Sequence, residues 1–182
     1  MDKITADQSL IITLDVDAFM FDRLQQIVDA GFLLVEINSV DIHFLKSALD
    51  TFPMLRIGAG SIINTHQLED CNQAGVHFIT SPGFLPTIAQ TASIYSINYL
   101  PGVATLSEAM QAISLGCQQV RPFPASLPFC SLLNKYIPQL KLFPAEVALD
   151  DVEHYKNLPN VAAVSLLNPE VNQLNLLRNV HI

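Results

Sequence analysis

Two near-copies of one phrase carry the side chains best suited to chemistry in this chain. The phrases are Val120-Arg121-Pro122-Phe123-Pro124-Ala125 and Leu140-Lys141-Leu142-Phe143-Pro144-Ala145, and each places one cation in a short apolar run. Proline has no backbone N–H for a sheet ladder, so each phrase is typical of a buried strand that leaves its sheet at Phe-Pro-Ala. A lysine amine can attack a carbonyl carbon, whereas an arginine guanidinium is a permanent cation suited to binding a carboxylate.

Glu36 is an acidic residue near the end of another apolar run. It lies in the apolar run Phe32–Asn38, so its carboxyl group is expected at the buried end of a strand. Such a carboxyl group either shuttles protons for a reaction or neutralises a buried cation. Arg121 has the matching alternatives, because it is either the ion-pair partner of Glu36 or a clamp for a small carboxylate.

Eight apolar runs at nearly regular intervals are the elements that must position these groups. Each run is short and almost continuously apolar, which is typical of parallel strands covered on both faces. They are Leu10–Val16, Phe32–Asn38, Met54–Gly60, His77–Gly83, Ile97–Val103, Gln118–Pro124, Leu140–Glu146 and Val161–Leu167.

Helix signals separate the runs. Asp41 is an N-cap candidate, Thr105-Leu106-Ser107-Glu108 has the spacing of a capping box, and Asn168 before Pro169 opens a last helix. Strands that alternate with helices form either a closed barrel or an open doubly wound sheet. An open sheet of this kind usually has a glycine-rich turn after its first strand, and Asp15-Val16-Asp17-Ala18 contains no glycine.

The sequence therefore predicts an α/β protein made of a single (β/α)8 TIM barrel domain over residues 1–182. Such barrels usually need more than about 200 residues. We therefore expect a compact barrel with short loops and a short last helix.

Composition limits the partners and the location. The net charge is −8 with nine Lys and Arg residues, which argues against nucleic acid and anionic membranes. Three cysteines in no paired spacing are typical of reduced thiols in a cytoplasmic protein, and the first residues show no targeting pattern. The five histidines lack metal-ligand spacing, so neither a metal nor a cofactor is expected.

The ends of the predicted strands form a series of motifs in a fixed order. The motifs are Leu34-Val35-Glu36-Ile37, Gly58-Ala59-Gly60-Ser61, Ser81-Pro82-Gly83, Pro101-Gly102 and Phe123-Pro124-Ala125. Together they resemble the 2-keto-3-deoxy-6-phosphogluconate and 4-hydroxy-2-oxoglutarate (KDPG/KHG) aldolase family. The resemblance implies a homotrimeric barrel that cleaves small 2-keto-4-hydroxy acids to pyruvate and an aldehyde through a lysine Schiff base.

The resemblance assigns roles to individual residues. Glu36 falls on the proton-transfer glutamate of the family, and Ser61 falls on its threonine and keeps the hydroxyl group. Pro82, Gly83 and Pro101, in the matching motifs, are expected to contact the substrate.

Other positions depart from the family pattern. The carboxylate-binding arginine of the family falls on Val40, and its phosphate-binding turn falls on Pro144-Ala145-Glu146-Val147. An acidic side chain there repels a phosphate, so an unphosphorylated substrate is expected. The Schiff-base lysine falls on Arg121, which is not a nucleophile at neutral pH because its guanidinium stays protonated.

Lys141 offers a second alignment, since Lys141-Leu142-Phe143-Pro144-Ala145-Glu146 reproduces the catalytic phrase K-x-F-P-A-E of the family. Placing it on the sixth strand would leave too few strands after it, so we assign Lys141 to the seventh. From there it either reaches the cavity as a relocated amine, made nucleophilic by its cationic neighbour Arg121, or points outward.

Three functions remain open from the sequence. The first is an aldolase for a small, unphosphorylated 2-keto acid, with Glu36 as proton shuttle, Lys141 as amine and Arg121 on the carboxylate. The second is a catalytically inactive relative that binds a small carboxylate or acts in interaction or regulation. The third is an enzyme of another class that uses the same cavity without an imine.

Overall fold

The computed structural model describes residues 4–5 and 8–181, without the side chains of residues 179–181. The expected lack of a targeting segment rests partly on residues 1–3 and 6–7, which lie outside the described residues. The strands are β1 (Leu10–Asp15), β2 (Leu34–Asn38), β3 (Arg56–Ala59), β4 (Phe78–Thr80), β5 (Asn98–Leu100), β6 (Gly102–Val103), β7 (Gln119–Pro122), β8 (Lys141–Leu142) and β9 (Val164–Leu167). The helices are α1 (Met20–Asp29), α2 (Ile42–Thr51), α3 (Thr65–Ala74), α4 (Pro86–Tyr95), α5 (Leu106–Ser114), α6 (Leu127–Tyr136), α7 (Val152–Lys156) and α8 (Val171–His181).

All the strand pairs are parallel and fall into two sheets. The first sheet has six strands in the order β5-β4-β3-β2-β1-β9, and the second has three in the order β6-β7-β8. Pro101 alone separates β5 from β6, so the run Ile97–Val103 supplies both, and every predicted run contains a strand. Arg121 thus lies in the sixth run and Lys141 in the seventh, as the strand count predicts.

Backbone hydrogen bonds also connect β8 with the segment that leads into β9. The Ala162 N–H donates to Leu142 O at 2.9 Å, and the Ser165 N–H donates to Pro144 O at 2.9 Å. Leu142 and Val161 form an isolated parallel bridge at the same place. The result is a curled parallel α/β arrangement with helices following the strands.

Local sequence signals explain the helix starts. The Asp41 side chain accepts hydrogen bonds from the N–H groups of His43 and Phe44, and Thr105 and Glu108 form the predicted capping box. The expectation of a short last helix is wrong, because α8 has 11 residues. The short helix is α7, which has five residues and follows a 3-10 turn at Leu149–Asp151.

The apolar side chains form two clusters. The larger one packs the helices against the outer face of the strands. The smaller one fills the inside of the curled sheet and is closely packed, since a Cβ atom at Gly58 would collide with the ring of Phe78. Its buried members are Ile4, Ile11, Leu34, Phe78, Leu100, Phe143 and Ala163. No helix in the described ranges is both long and apolar enough to cross a membrane.

Candidate functional site

Glu36 and Arg121 form a buried ion pair inside the curled sheet. Glu36 lies on β2 opposite Thr13 of β1, and Arg121 lies on β7 opposite Gly102 of β6. Their exposed fractions are 1% and 6%. Arg121 Nη1 donates directly to Glu36 Oε2. Side chains alternate along a strand, so residues two apart point to the same face. Glu36 therefore lies on the same inner face as Leu34 of the smaller apolar cluster, two residues closer to the carboxyl end of β2.

Two threonine hydroxyl groups complete the hydrogen bonding of the Glu36 carboxylate. Thr80 Oγ1 donates to Oε1 at 2.9 Å, and Thr13 Oγ1 donates to Oε2 at a longer 3.4 Å. An ionised carboxylate has about four acceptor sites, so three donors leave about one of them for a ligand. A buried charge without such partners would be strongly unfavourable, so Glu36 and Arg121 each depend on the other for stability.

A small cavity opens beside the ion pair. Its volume is about 50 Å³. At about 10–15 Å³ for each water, this space suits on the order of four waters or one equally small ligand. The lining residues come from the carboxyl ends of several strands and from the loops that follow them: Glu36, Asn38, Ser61, Thr80, Ser81, Pro82, Arg121, Phe123 and Glu146.

The Arg121 guanidinium supplies the positive charge of this cavity. Its Cζ atom lies 6.0 Å from the centroid of the Phe123 ring, and its N–H backbone group donates to Pro101 O at 2.8 Å. A guanidinium group has five N–H donors. In the described part of the chain its side-chain hydrogen bond goes to Glu36, so further donors remain for a ligand carboxylate.

Asn38 adds an oriented acceptor. Its Nδ2 atom donates to Asp15 Oδ1 at 2.8 Å, and Asp15 is itself fixed by Asn168 Nδ2 at 2.8 Å. Since a carboxylate only accepts, the amide nitrogen of Asn38 must face Asp15 and its Oδ1 must face away. A Cβ atom at Gly60 would press on this Oδ1 and lie 2.7 Å from Glu36 Oε1, so the close approach of β3 requires glycine.

Glu146 brings a second negative charge to the cavity. It is exposed, adopts a left-handed conformation with φ of 57°, and its N–H donates to Ser165 Oγ at 2.9 Å. Ser61, after β3, also has a left-handed conformation with φ of 65°. In the part of the chain that the structure describes, the charged groups lining the cavity are thus two carboxylates and one guanidinium, which is unfavourable for a multiply charged anion such as a phosphate ester.

Comparison with known proteins agrees with this geometry. The sequence model of the family described as KDPG and KHG aldolase matches residues 9–170. The chain belongs to this aldolase family. It is 27% identical over 162 residues to the 2-dehydro-3-deoxy-phosphogluconate aldolase of Pseudomonas aeruginosa, an alignment that covers 85% of this chain and 74% of that protein.

Other relatives match over shorter stretches or by structure. The KHG/KDPG aldolase of Escherichia coli K12 is 34% identical over 84 residues, which span 46% of this chain and 39% of that protein. The crystal structure of KDPG aldolase from Legionella pneumophila, with pyruvate captured as a covalent carbinolamine intermediate, superposes with a TM-score of 0.83 and 26% identity. That superposition covers 97% of this chain and 94% of the Legionella chain. The aldolase of Zymomonas mobilis ATCC 29191 gives a TM-score of 0.85 at 20% identity, over 96% and 92% of the two chains, and supports the fold alone.

Four residues expected from the aldolase resemblance meet at this cavity: Glu36, Arg121, Ser61 and Pro82. Two others do not line it. Gly83 O accepts a hydrogen bond from Ser81 Oγ at 2.6 Å, and Pro101 is buried with its carbonyl oxygen on the Arg121 N–H. Through their backbone carbonyl groups, Gly83 and Pro101 thus hold Ser81 and Arg121, which line the cavity.

Lys141 lies at the other end of the strands. It is the first residue of β8 and pairs with Gln119, two residues before Arg121, while Val120 pairs with Leu142. In this register Arg121 lies beside Phe143 and not beside Lys141. The two cations nevertheless have the same spacing to the prolines of their phrases. Lys141 is exposed and lines a different cavity. The hypothesis of a relocated amine requires Lys141 to reach the cavity of Glu36, and the structure does not bring it there.

Several functional side chains escaped the sequence reasoning. Thr13 and Thr80 are the hydrogen-bond donors to Glu36, and Asn38 is the oriented acceptor. The available signal was position, because Thr13 and Thr80 are polar residues within the otherwise mostly apolar strands β1 and β4. A strand period of two residues places them on the same face as Ile11 and Phe78 of the inner cluster.

The thiol groups do not add a nucleophile to the site. Burial raises the pKa of Cys71 to about 11 and that of Cys130 to about 12, so both thiols are protonated at neutral pH. Across the described residues, no three His, Cys, Asp or Glu side chains are grouped so that they could hold a metal ion.

Proposed function

We propose that this chain is a divergent member of the aldolase family that binds a small, unphosphorylated carboxylate without forming an imine. The observation that carries this proposal is the buried Arg121 guanidinium, which faces the small cavity with unused donors beside Glu36. A planar guanidinium binds a carboxylate in a bidentate manner, which gives both affinity and a fixed orientation.

Among the described residues, no lysine lines this cavity, which argues against imine chemistry. Arg121 takes the place that the family gives to its Schiff-base lysine, and a guanidinium does not act as an amine nucleophile at neutral pH. The first function considered from the sequence, with Lys141 as the amine, receives no support from the position of that residue.

The size and charge of the cavity define the ligand class. A space of about 50 Å³ restricts the ligand to a very small molecule, because it is far below the about 300–1,000 Å³ of ordinary ligand pockets. Glu146 opposes a phosphate group, and the half-buried Val40 packs against the core instead of offering a cation. A 2-keto acid is the preferred candidate, because the Legionella relative captures pyruvate.

The finer features of the molecule belong to the same proposal. The hydrogen bonds from β7 to Pro101 and from Ala162 and Ser165 to the β8 segment support one closed (β/α)8 barrel, formed as a single domain over residues 1–182. By analogy with the family we further propose a homotrimer located in the cytoplasm. We propose no nucleic acid or membrane partner and no cofactor.

Calorimetric titration with pyruvate tests the binding proposal. We expect saturable binding to the full chain and its loss in Arg121→Met, with Arg178→Met, an exposed arginine on α8, as the matched control. The double variant Glu36→Leu/Arg121→Met removes both charges and guards against a folding defect caused by an unpaired Glu36. Unchanged binding in a folded variant that lacks Arg121 would contradict the proposal.

A lyase reaction without an imine is the second candidate. The remaining acceptor site of the Glu36 carboxylate favours it, because a proton of a bound hydroxy-keto acid has an acceptor in this cavity. Pyruvate released from 4-hydroxy-2-oxobutanoate, a four-carbon 2-keto-4-hydroxy acid with one carboxylate, measures this activity. Turnover by the wild type that is lost in Glu36→Gln supports this function, and its absence at saturating substrate leaves the chain a binding protein.

A further inference from the structure

A second and larger cavity lies where β5, β7 and β8 begin. Its volume is about 320 Å³, several times the about 50 Å³ beside Glu36. This value falls within the about 300–1,000 Å³ that is typical of small-molecule pockets. Its polar lining includes Asn98, Gln119 and Lys141, the first residues of the three strands. The proposed carboxylate site makes no use of this cavity.

A local interruption of strand pairing creates the space. β5 is the last strand of the six-stranded sheet, and β7 pairs with β6 at Gly102 and Val103 instead of with β5. The strand pairing is therefore interrupted between β5 and β7. The Gln119 side chain bridges the interruption, since its Nε2 atom donates to Tyr99 O at 3.3 Å. Small residues of α4, Ala89 and Ala92, form the wall beside the opening. The cavity is therefore a feature of the sheet geometry.

Lys141 gives this cavity a positive charge above an apolar floor. The lysine is exposed, and none of the ion pairs found among the described residues includes it. Phe143 and Ile4, both 3% exposed, line the same cavity beneath it. Small-molecule sites commonly combine an apolar lining with a few polar groups that fix orientation.

Asn98 and Gln119 supply hydrogen-bond acceptors to this cavity. Asn98 Nδ2 donates to His77 O at 3.2 Å and Gln119 Nε2 donates to Tyr99 O, so both amide oxygens remain available as acceptors. Burial raises the pKa of Cys117, so this lining residue stays an uncharged thiol at neutral pH. Among the lining residues that the structure describes, Lys141 is the charged group and therefore selects the sign of the ligand.

We propose that this cavity binds an amphipathic monocarboxylate, with its carboxylate on the Lys141 ammonium group and a hydrocarbon or aryl body against Phe143 and Ile4. The site is separate from that of Glu36, because the inner apolar cluster containing Leu34 and Phe143 lies between them along the strands. The two proposals do not depend on each other.

Titration of the full chain with 4-phenylbutyrate and with the uncharged 4-phenylbutan-1-ol tests this site. We expect both probes to bind and the acid to bind about three- to fivefold more tightly, as a partly exposed ion pair of about 1 kcal/mol implies. The variant Lys141→Met should keep the alcohol affinity and lose the preference for the acid. Lys46→Met changes an exposed lysine that does not line the cavity and should behave as wild type.

A blocking variant gives a second readout. Ser93→Trp, at an exposed position on the cavity wall, should weaken both probes at least about tenfold because the indole fills the opening. Saturating pyruvate should leave both affinities unchanged. The proposal is overturned if the wild type binds neither probe saturably, if Lys141→Met keeps the preference for the acid, or if Ser93→Trp binds both probes as before.

Discussion

The proposed replacement of the family lysine by Arg121 has consequences beyond nucleophilicity. A lysine at this position could lose its proton to become an amine, whereas the guanidinium of Arg121 remains charged and must be neutralised by Glu36. Glu36 in turn accepts hydrogen bonds from Thr13 and Thr80, so most acceptor sites of its carboxylate are used within the protein. The sequence predicted the Glu36–Arg121 pair as one alternative, since both residues stood at buried strand ends.

Removing Arg121 alone should strongly destabilise the protein. We expect Arg121→Met to lower the free energy of unfolding by about 3–5 kcal/mol, because it leaves the buried Glu36 carboxylate without its counter-charge. Glu36→Leu/Arg121→Met should recover part of this loss, since no uncompensated charge remains. Urea unfolding monitored by circular dichroism measures both values. Equal losses in the single and double variants would show that the pair is not coupled in this way.

Glu146 should reduce the affinity for any small carboxylate in the cavity. We expect Glu146→Gln to bind pyruvate about two- to fivefold more tightly, because an exposed like charge costs about 0.4–1 kcal/mol. Asp150→Asn removes an exposed acid that does not line the cavity and serves as the control. Titration calorimetry at low and high salt shows whether the effect is electrostatic, because the gain in affinity should then shrink as the salt concentration rises. Weaker binding by Glu146→Gln would instead show that this carboxylate contacts the ligand.

At the scale of elements, the sequence was informative where local chemistry decides the outcome. The runs of apolar residues predicted the strands, and Asp41 and the box of Thr105 and Glu108 predicted helix starts. Register was not predictable, because it depends on strand pairing and not on either strand alone. The two Phe-Pro-Ala phrases look equivalent along the chain, yet the pairing of Gln119 with Lys141 staggers them by two residues. That stagger separates Lys141 from the cavity of Glu36.

The capping box of α5 should contribute a pH-dependent share of stability. The Ala104 N–H, together with Thr105, lowers the pKa of Glu108 from its ordinary 4.5. A lowered pKa in the folded state stabilises it above the ordinary value, and this contribution is lost as pH falls through the lower folded-state value. Glu108→Ala should therefore cost about 0.3–1 kcal/mol at neutral pH and less below about pH 4.

Chemical denaturation at neutral and acidic pH measures this effect. Ser107→Ala, at an exposed position in the same helical turn, provides the control for a general change in helix propensity. A cost for Glu108→Ala that stays constant or grows with falling pH would contradict the assigned role of the ionised carboxylate.

At the scale of the whole molecule, the two ends of the strands have different chemistry. The carboxyl ends hold the small cavity with the Glu36–Arg121 pair, and the amino ends hold the larger cavity with Lys141. The family motifs identified the first end from the sequence, since they cluster at strand ends. The second end had no sequence signal, because a cavity arises from the pairing of β5, β6 and β7 and from the small residues packed beside them.

The exposed apolar residues bear on the proposed homotrimer. Phe19 is 67% exposed, Ile94 79% and Leu176 62%, so each of these large apolar side chains is available for a contact between subunits. We expect light scattering after size-exclusion chromatography to give three times the chain mass of 20.0 kDa. A mass that stays at the single-chain value across dilution would contradict the trimer.

Borohydride reduction in the presence of pyruvate tests the central claim most directly, with intact-mass and peptide mass spectrometry as the readout. A wild-type protein that binds pyruvate noncovalently at Arg121 should show binding by calorimetry and no pyruvate adduct on any lysine. Arg121→Lys, which places an amine beside Glu36, should gain an adduct at residue 121. A reduced pyruvate adduct on Lys141 of the wild-type protein would contradict the account.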